Sequence, residues 1–161
     1  MSIYQEMGFK PVKENLSEAA LYSIVRTFTL LNRHFQRHYS QFNLTPAKLN
    51  VLMVVKHLGG ETGLPQREIA TRLIISGSDV TGLIDRLEKE GLLTRSAGQD
   101  RRVKLVKITQ KGSGLLDRLW PTHIKQIERT MRPLTKQKQQ RLIEFLTQIR
   151  IPLQDGERDL A

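Results

Sequence analysis

The sequence predicts a mainly α-helical protein that carries one small β-hairpin. Between residues 17 and 91, and again after residue 109, apolar residues recur three or four positions apart, which is the period of an amphipathic helix. Between residues 92 and 108 the period changes to two, which is the period of a β-strand. The 161 residues show no internal repeat and suffice for one domain with a buried core.

The first helix is predicted to follow an N-terminal arm. Residues 1–16 have neither a helical nor an alternating period, and Ser17 is the predicted cap of the helix after them. Its apolar stripe consists of Leu21, Ile24, Val25, Phe28, Leu31, Phe35, Tyr39 and Phe42. The alternatives are a long core helix and a stripe that packs partly on a second subunit. A helix of about 25 residues is long for a domain of this size, which favours the second subunit.

Two shorter helices follow, each introduced by a proline. Thr45 is a predicted cap with Pro46 in the first helical position, and Gly59–Gly60 ends this second helix. Leu64–Pro65 is predicted to open the third helix in the same way, and that helix ends near Leu73.

A fourth helix is predicted from its cap and its period. Ser76 and Asp79 have the S-x-x-D spacing of a capping box, and Gly91 is a typical helix end. Its expected buried face consists of Val80, Leu83, Ile84 and Leu87. The opposite face begins with small or hydrogen-bonding side chains and continues with cations, a composition that suits close approach to a polyanion.

The strand-like segment is predicted to form a hairpin that is rich in cations. Residues 92–95 and 103–108 are the two strands, and the polar segment SAGQDRR connects them. Five cations lie on this hairpin: Arg95, Arg101, Arg102, Lys104 and Lys107.

Two more helices complete the chain. Thr109 is the predicted cap of the fifth helix, which ends before Pro133. Thr135 begins the sixth, and Pro152 is predicted to end it.

The composition favours a polyanionic partner and excludes several classes of protein. Lys and Arg number 26 against 16 Asp and Glu, which gives a net charge of +10. The absence of cysteine excludes disulfide frameworks, thiolate zinc sites and cysteine nucleophiles. The longest apolar run, residues 51–55, is far shorter than the roughly 20 residues of a membrane span. No signal peptide is recognisable, so a cytoplasmic protein is expected.

The third and fourth helices, joined by a tight connection and followed by the hairpin, match the parts of a winged helix-turn-helix. In that arrangement the second helix of the pair enters the major groove of DNA, and the hairpin reaches the backbone or the minor groove. An RNA-binding domain and an adaptor acting through protein contact alone are the competing interpretations. An aromatic content of 6% disfavours the first, and the net charge of +10 disfavours the second. No phosphate-binding glycine loop or hydrolase motif occurs, so neither an enzyme nor a cofactor is expected.

The middle of the chain also resembles the MarR family of bacterial transcriptional regulators. Four features carry the resemblance: I-A-x-x-L at Ile69 to Leu73, V-T-x-L-I-x-x-L-E-x-x-G-L at Val80 to Leu92, D-R-R at Asp100 to Arg102, and I-T-x-x-G at Ile108 to Gly112. The segment LTPAKLNVL and the long first, fifth and sixth helices are similar to the rest of the family, whereas the first sixteen residues lie outside it. After the arm over 1–16, which is predicted from its lack of a period, the resemblance implies three regions: a dimerisation helix over 17–44, a winged helix-turn-helix over 45–110, and dimerisation helices with a tail over 111–161.

The helix face, the hairpin and the resemblance together predict a set of DNA-contacting residues. They are Gln66, Arg67, Ser76, Ser78, Asp79, Thr81, Gly82, Arg86, Arg95, Arg101, Arg102 and Lys104. By the resemblance, Arg102 enters the minor groove, and Asp100 stabilises the wing by pairing with it. Gly82 departs from the family, in which arginine is common at this position, so readout through the wing and through DNA shape is expected to count for more.

The resemblance further implies a sequence-specific regulator of double-stranded DNA that binds a near-palindromic operator as a homodimer. A repressor released by a small aromatic or phenolic acid is expected, and the alternatives are an activator and a non-specific nucleic-acid-binding protein. His38 and His57 are the candidate ligand contacts. His34 and His38 have a spacing that can hold a metal, but an exposed or interface pair is the favoured interpretation and no metal is expected.

Overall fold

The computed structural model describes residues 2–8, 10, 13, 15–73, 80–100 and 102–158. The chain divides into two compact units, residues 1–117 and residues 118–161. The boundary between them falls inside one long helix. Of the described helices, none is long and apolar enough to cross a membrane.

The predicted N-terminal arm contains a short helix that packs on the next one. Helix α1 spans Ile3–Met7 and buries Tyr4. The Tyr4 hydroxyl donates to Glu18 Oε2 at 2.9 Å, and the Tyr22 hydroxyl donates to the other carboxylate oxygen of Glu18 at 2.9 Å. The sequence pattern could not predict this helix, because it has only five residues and Tyr4 is its one buried side chain. The hydrogen-bond partners of Tyr4 lie eleven or more residues away in the sequence.

The long helix α2 spans Leu16–Tyr39, close to the predicted length. The prediction that Ser17 caps it is wrong: the side chain of Asn15 accepts hydrogen bonds from the backbone amides of Ser17 and Glu18. Both residue types cap helices well, so only the backbone path decides between them. Leu21, Val25 and Phe28 of the predicted stripe are each more than half exposed.

Tyr39, at the end of α2, is expected to be the last tyrosine to ionise on alkaline titration. Its ring stacks on Phe35, and burial raises its pKa to about 12 from the ordinary value of 10.0. The Tyr39 hydroxyl ionises at a lower pH in the unfolded chain than in the folded protein. The contribution of neutral Tyr39 to folding stability is therefore fully present below pH 10 and is lost as the pH rises towards 12. Phenolate absorbance against pH measures this. A titration phase near pH 12 that persists in a Tyr39→Phe variant would show that this phase does not belong to Tyr39.

The central part of the first unit has the predicted helices and one strand that was not predicted. Helix α3 spans Pro46–Leu58 with Thr45 as its cap, which confirms that prediction. Helix α4 spans Gln66–Arg72 and starts directly after Leu64–Pro65 as predicted, but Pro65 is its N-cap and not its first helical residue. Leu64–Pro65 also forms a two-residue strand, β1, which was not predicted. Pro65 is tolerated there because β1 is an edge strand, where a missing amide breaks no ladder.

Helix α5 spans Val80–Lys89, and the predicted hairpin follows it. The predicted capping box at Ser76 and Asp79 lies outside the described residues. Strands β2, Leu93–Ala97, and β3, Lys104–Ile108, pair antiparallel with Arg95 opposite Val106. Strand β1 adds to the other edge of β3, so the sheet order is β1-β3-β2. The β2–β3 hairpin is called the wing below.

The core of the first unit joins these helices to the sheet. Its completely buried side chains include Leu52, Ile69, Ile84, Leu87, Leu93 and Val106. Each buried side chain of this size contributes about 2 kcal/mol, so the sheet and the three central helices behave as one packed body. This rigidity holds the wing beside α4 and α5.

The last two helices are long, and one of their two predicted ends is confirmed: the first of them ends at Met131, before Pro133. Helix α6 spans Gln110–Met131 and passes through Pro121. Helix α7 spans Lys136–Arg158 and passes through Pro152, so the prediction that Pro152 ends it is wrong. A proline removes one backbone hydrogen bond, and the residues on both sides can remain helical. Ile143, Phe145 and Leu153 of α7 are more than half exposed.

Candidate nucleic-acid interface

Helix α5 has a buried face and an exposed polar face, as its period predicts. Leu83, Ile84 and Leu87 are buried, whereas Thr81 and Arg86 are exposed on the opposite side. The left-handed backbone of Gly91, with φ +70°, then turns the chain from α5 into the wing. Gly82 is partly buried. Three further predicted contacts, Ser76, Ser78 and Asp79, lie outside the described residues.

The start of α4 is linked to the start of α5 by side chains. Gln66 Nε2 donates to Thr81 Oγ1 at 3.1 Å, and the neighbouring Arg67 is exposed. Two residues predicted to contact DNA are therefore hydrogen-bonded to each other in the free protein.

The tip of the wing is ordered by its own main chain. The amide of Gly98 donates to the carbonyl of Val103, and the amide of Val103 donates to the carbonyl of Asp100, both at 2.9 Å. Asp100 Oδ1 accepts from the amide of Arg102 at 2.9 Å. This contact to the main chain differs from the side-chain pairing that the family resemblance implied. It leaves the Arg102 side chain exposed, and Arg101 lies outside the described residues.

Arg95 of β2 has a different environment from the other wing cations. Its Nη1 lies 2.6 Å from Asp85 Oδ1 and 2.7 Å from Glu88 Oε2, and its Nε donates to Gln66 Oε1 at 3.2 Å. Burial acts to lower the pKa of Arg95, but hydrogen bonds and charges from Asp85 and Glu88 outweigh it, so the pKa is raised. The guanidinium therefore stays charged, and it links β2 to both α4 and α5. Asp85 and Glu88 were missed as site residues because no local pattern pairs them with Arg95.

These elements line an open cleft of about 790 Å³ between α4, α5 and the wing, called the wing cleft. Six of the predicted DNA-contacting residues line it: Gln66, Arg67, Thr81, Arg95, Arg102 and Lys104. Asp85, Asp100 and Val103 line it as well. The fold thus brings together residues that are up to 38 positions apart in sequence, from 66 to 104.

The base of the wing is joined tightly to the start of α6. Thr109 Oγ1 donates to the carbonyl of Gly91 at 2.7 Å and accepts from the amide of Gly112 at 3.0 Å. Gly112 is buried, and a Cβ added there would lie 2.3 Å from the carbonyl oxygen of Leu92. The I-T-x-x-G motif therefore has a structural role: Thr109 closes the turn between the wing and α6, and Gly112 allows α6 to approach the main chain of Leu92 closely.

The two candidate ligand residues lie on separate helices. The His38 ring contacts the rings of Tyr39 and Phe42, with centroids 5.7 and 6.1 Å away, whereas His57 is exposed in the last turn of α3. The His34 ring packs edge-on against Phe35. Within the described ranges, no three His, Asp or Glu side chains are placed to hold a metal ion.

Comparison with solved structures shows that the fold is shared with other proteins. The fold is similar to that of the Staphylococcus aureus MepR–DNA complex, with a TM-score of 0.72, 21% identity, and coverage of 85% of this chain and 97% of that one. It is also similar to Bordetella bronchiseptica BpsR, whose DNA binding is regulated by 6-hydroxynicotinic acid. There the TM-score is 0.74 with 24% identity, over 86% of this chain and 99% of that one.

Sequence comparison identifies the family. The MarR family model matches residues 42–103, which include α3, α4, α5 and strand β2 of the wing. The HTH-type transcriptional regulator MhqR of Bacillus subtilis is 30% identical over 125 residues, which are 77% of this chain and 84% of that protein. The chain therefore belongs to the MarR family of helix-turn-helix transcriptional regulators, and it is a DNA-binding protein and not an enzyme.

Proposed function

We propose that this regulator is a homodimeric repressor that reads a near-palindromic operator and is released by a small aromatic or phenolic acid. The observation that carries the DNA part of the proposal is the wing cleft, where six predicted DNA-contacting residues from three elements converge. The same contacts would serve an activator, so the direction of control needs its own measurement.

Recognition of DNA divides between exposed cations and the polar face of α5. Arg67, Arg102 and Lys104 are exposed around the cleft, where they can neutralise phosphates and release counterions. Thr81 and Arg86 lie on the face of α5 that would meet base edges in the major groove. With the wing at the adjacent minor groove, affinity comes mainly from the cations, and sequence preference comes from α5 together with readout of DNA shape by the wing.

Exposed apolar side chains support the dimer. Leu21, Val25 and Phe28 on α2, and Ile143, Phe145 and Leu153 on α7, are each more than half exposed. Large apolar side chains in such numbers on two helices are typical of a surface that a partner covers. A second copy would place two α5 helices about 10 bp apart, one turn of DNA, and this spacing requires a near-palindromic site.

The release step rests on the likeness to a regulator of known ligand response. BpsR responds to 6-hydroxynicotinic acid, a small aromatic acid of the class expected here. His38 and His57 remain the predicted ligand contacts. A ligand of this kind lowers operator affinity only by as much as it prefers the DNA-free state, so control is a shift between two states of the dimer.

The proposal predicts a strong preference for selected over scrambled DNA. Wild-type protein is expected to bind a duplex selected from a random-sequence library at least about 10³-fold more tightly than a scrambled duplex. Fluorescence anisotropy across a salt series measures both affinities, and sedimentation velocity gives the stoichiometry of the complex.

Equal affinity for both duplexes would favour the non-specific nucleic-acid-binding alternative, and one protomer per selected site would contradict the dimer. Transcription in vitro from a promoter carrying the selected site separates the two directions of control. A repressor lowers the transcript level, and an activator raises it.

A further inference from the structure

Arg95 differs in its contacts from the other cations predicted to bind DNA. Among the described members of that set, Arg67, Arg86, Arg102 and Lys104 are exposed, whereas the Arg95 side chain is 16% exposed. Its guanidinium already has three partners within hydrogen-bond distance: Asp85, Glu88 and Gln66. The amide of Arg95 also donates to Glu88 Oε1 at 3.1 Å, so both its main chain and its side chain are bound to α5.

The electrostatics disfavour moving this guanidinium to a phosphate. Two carboxylates share the one cation, so the cluster has a net negative charge beside the surface that would meet DNA. If Arg95 turned to a phosphate, Asp85 and Glu88 would face the polyanion without their partner. The move would exchange two carboxylate partners and the Gln66 contact for one phosphate contact.

The contacts of Arg95 determine how three elements sit relative to one another. It joins β2 of the wing to α5 through two carboxylates and to α4 through Gln66. Because its Nε donates to Gln66 Oε1, the amide of Gln66 is oriented with Nε2 towards Thr81 Oγ1. Bidentate and multi-partner arginine contacts have this directional character, whereas a lysine provides only a point charge.

We propose that Arg95 is a positioning residue that fixes the wing and the Gln66 side chain relative to α5, and that it does not bind phosphate. This inference rests on the proposed function, because the residue determines specificity only if the protein reads sequence. Arg95 neutralises the two carboxylates and orders the reading surface, while the exposed cations bind the DNA backbone.

The two roles of Arg95 make opposite predictions for the double variant Asp85→Asn with Glu88→Gln. If Arg95 binds phosphate, removing the acids frees it, and the preference for the selected over the scrambled duplex stays at the wild-type value or rises. If Arg95 is a positioning residue, the wing loses its attachment, and that preference falls roughly tenfold, the size of an ordinary network coupling. The ratio of the two affinities is measured by anisotropy within one preparation, so a partly inactive sample does not alter it.

A second variant, Arg95→Lys, keeps the charge and loses the fork geometry. The positioning role predicts a similar fall in preference, whereas a phosphate contact predicts a ratio close to wild type. The exposed pair Arg72–Glu68 within α4 supplies matched controls, Glu68→Gln and Arg72→Lys, which are expected to keep the wild-type ratio. Unchanged ratios in both the double variant and Arg95→Lys would overturn the proposal and leave the proposed function intact. Absence of any preference in wild type would overturn both.

Discussion

Replacing Gly112 by alanine is expected to lower the free energy of unfolding by about 3 kcal/mol, the cost of severe overpacking at a buried position. Helix propensity alone predicts the opposite sign, since alanine stabilises a helix interior by about 1 kcal/mol relative to glycine. Packing decides here, because the new Cβ would lie 2.3 Å from the carbonyl oxygen of Leu92 and 2.9 Å from Ile108 Cγ1. The carbonyl belongs to the main chain at the wing base and cannot rotate away as a side chain can.

Urea denaturation followed by circular dichroism measures this change. Ser113→Ala is the matched control: it lies one residue further along α6, already has a Cβ, and is expected to change stability by less than about 0.5 kcal/mol. A Gly112→Ala variant as stable as wild type would mean that the wing base and α6 do not approach each other so closely.

Replacing Arg102 by alanine is expected to weaken binding to the selected duplex roughly 10- to 100-fold, as for an arginine that contacts DNA directly. The wing turn places Arg102 on a fixed main chain, because Asp100 accepts from its amide and the neighbouring amides of Gly98 and Val103 are bonded within the turn. The side chain is exposed and lines the wing cleft. Arginine at such a tip suits the negative potential of a narrow minor groove.

Anisotropy titration with the selected duplex tests this expectation. Lys107→Ala is the control of equal charge, because Lys107 is exposed, does not line the wing cleft, and alternates in β3 with the buried Val106. Its loss of affinity is expected to be about twofold, from net charge alone. Equal losses in the two variants would show that Arg102 contributes only charge and would remove its assignment to the minor groove.

The sequence was sufficient for the elements whose causes are local. The change of period near residue 92 predicted the hairpin, and Thr45 with Pro46 predicted the start of α3, because both depend on neighbouring residues. The buried face of α5 followed from its spacing: Leu83, Ile84 and Leu87 are buried as expected, whereas Val80 is only partly buried. The family itself was recognisable from four short motifs, since each of them encodes a local turn, cap or helix face.

The features that tertiary structure decided all depend on partners distant in sequence. Pro65 was predicted to be the first helical residue, but it lies one position before α4, and pairing with β3 makes Leu64–Pro65 a strand. Pro152 reads as a helix end, yet α7 continues through it to Arg158. Arg95 reads as one more wing cation, and only the return of β2 beside α5 reveals the carboxylates of Asp85 and Glu88 around it. Local sequence specifies which conformations a segment favours, whereas burial and charge pairing across the fold select among them and thereby set the chemistry of the DNA-binding surface.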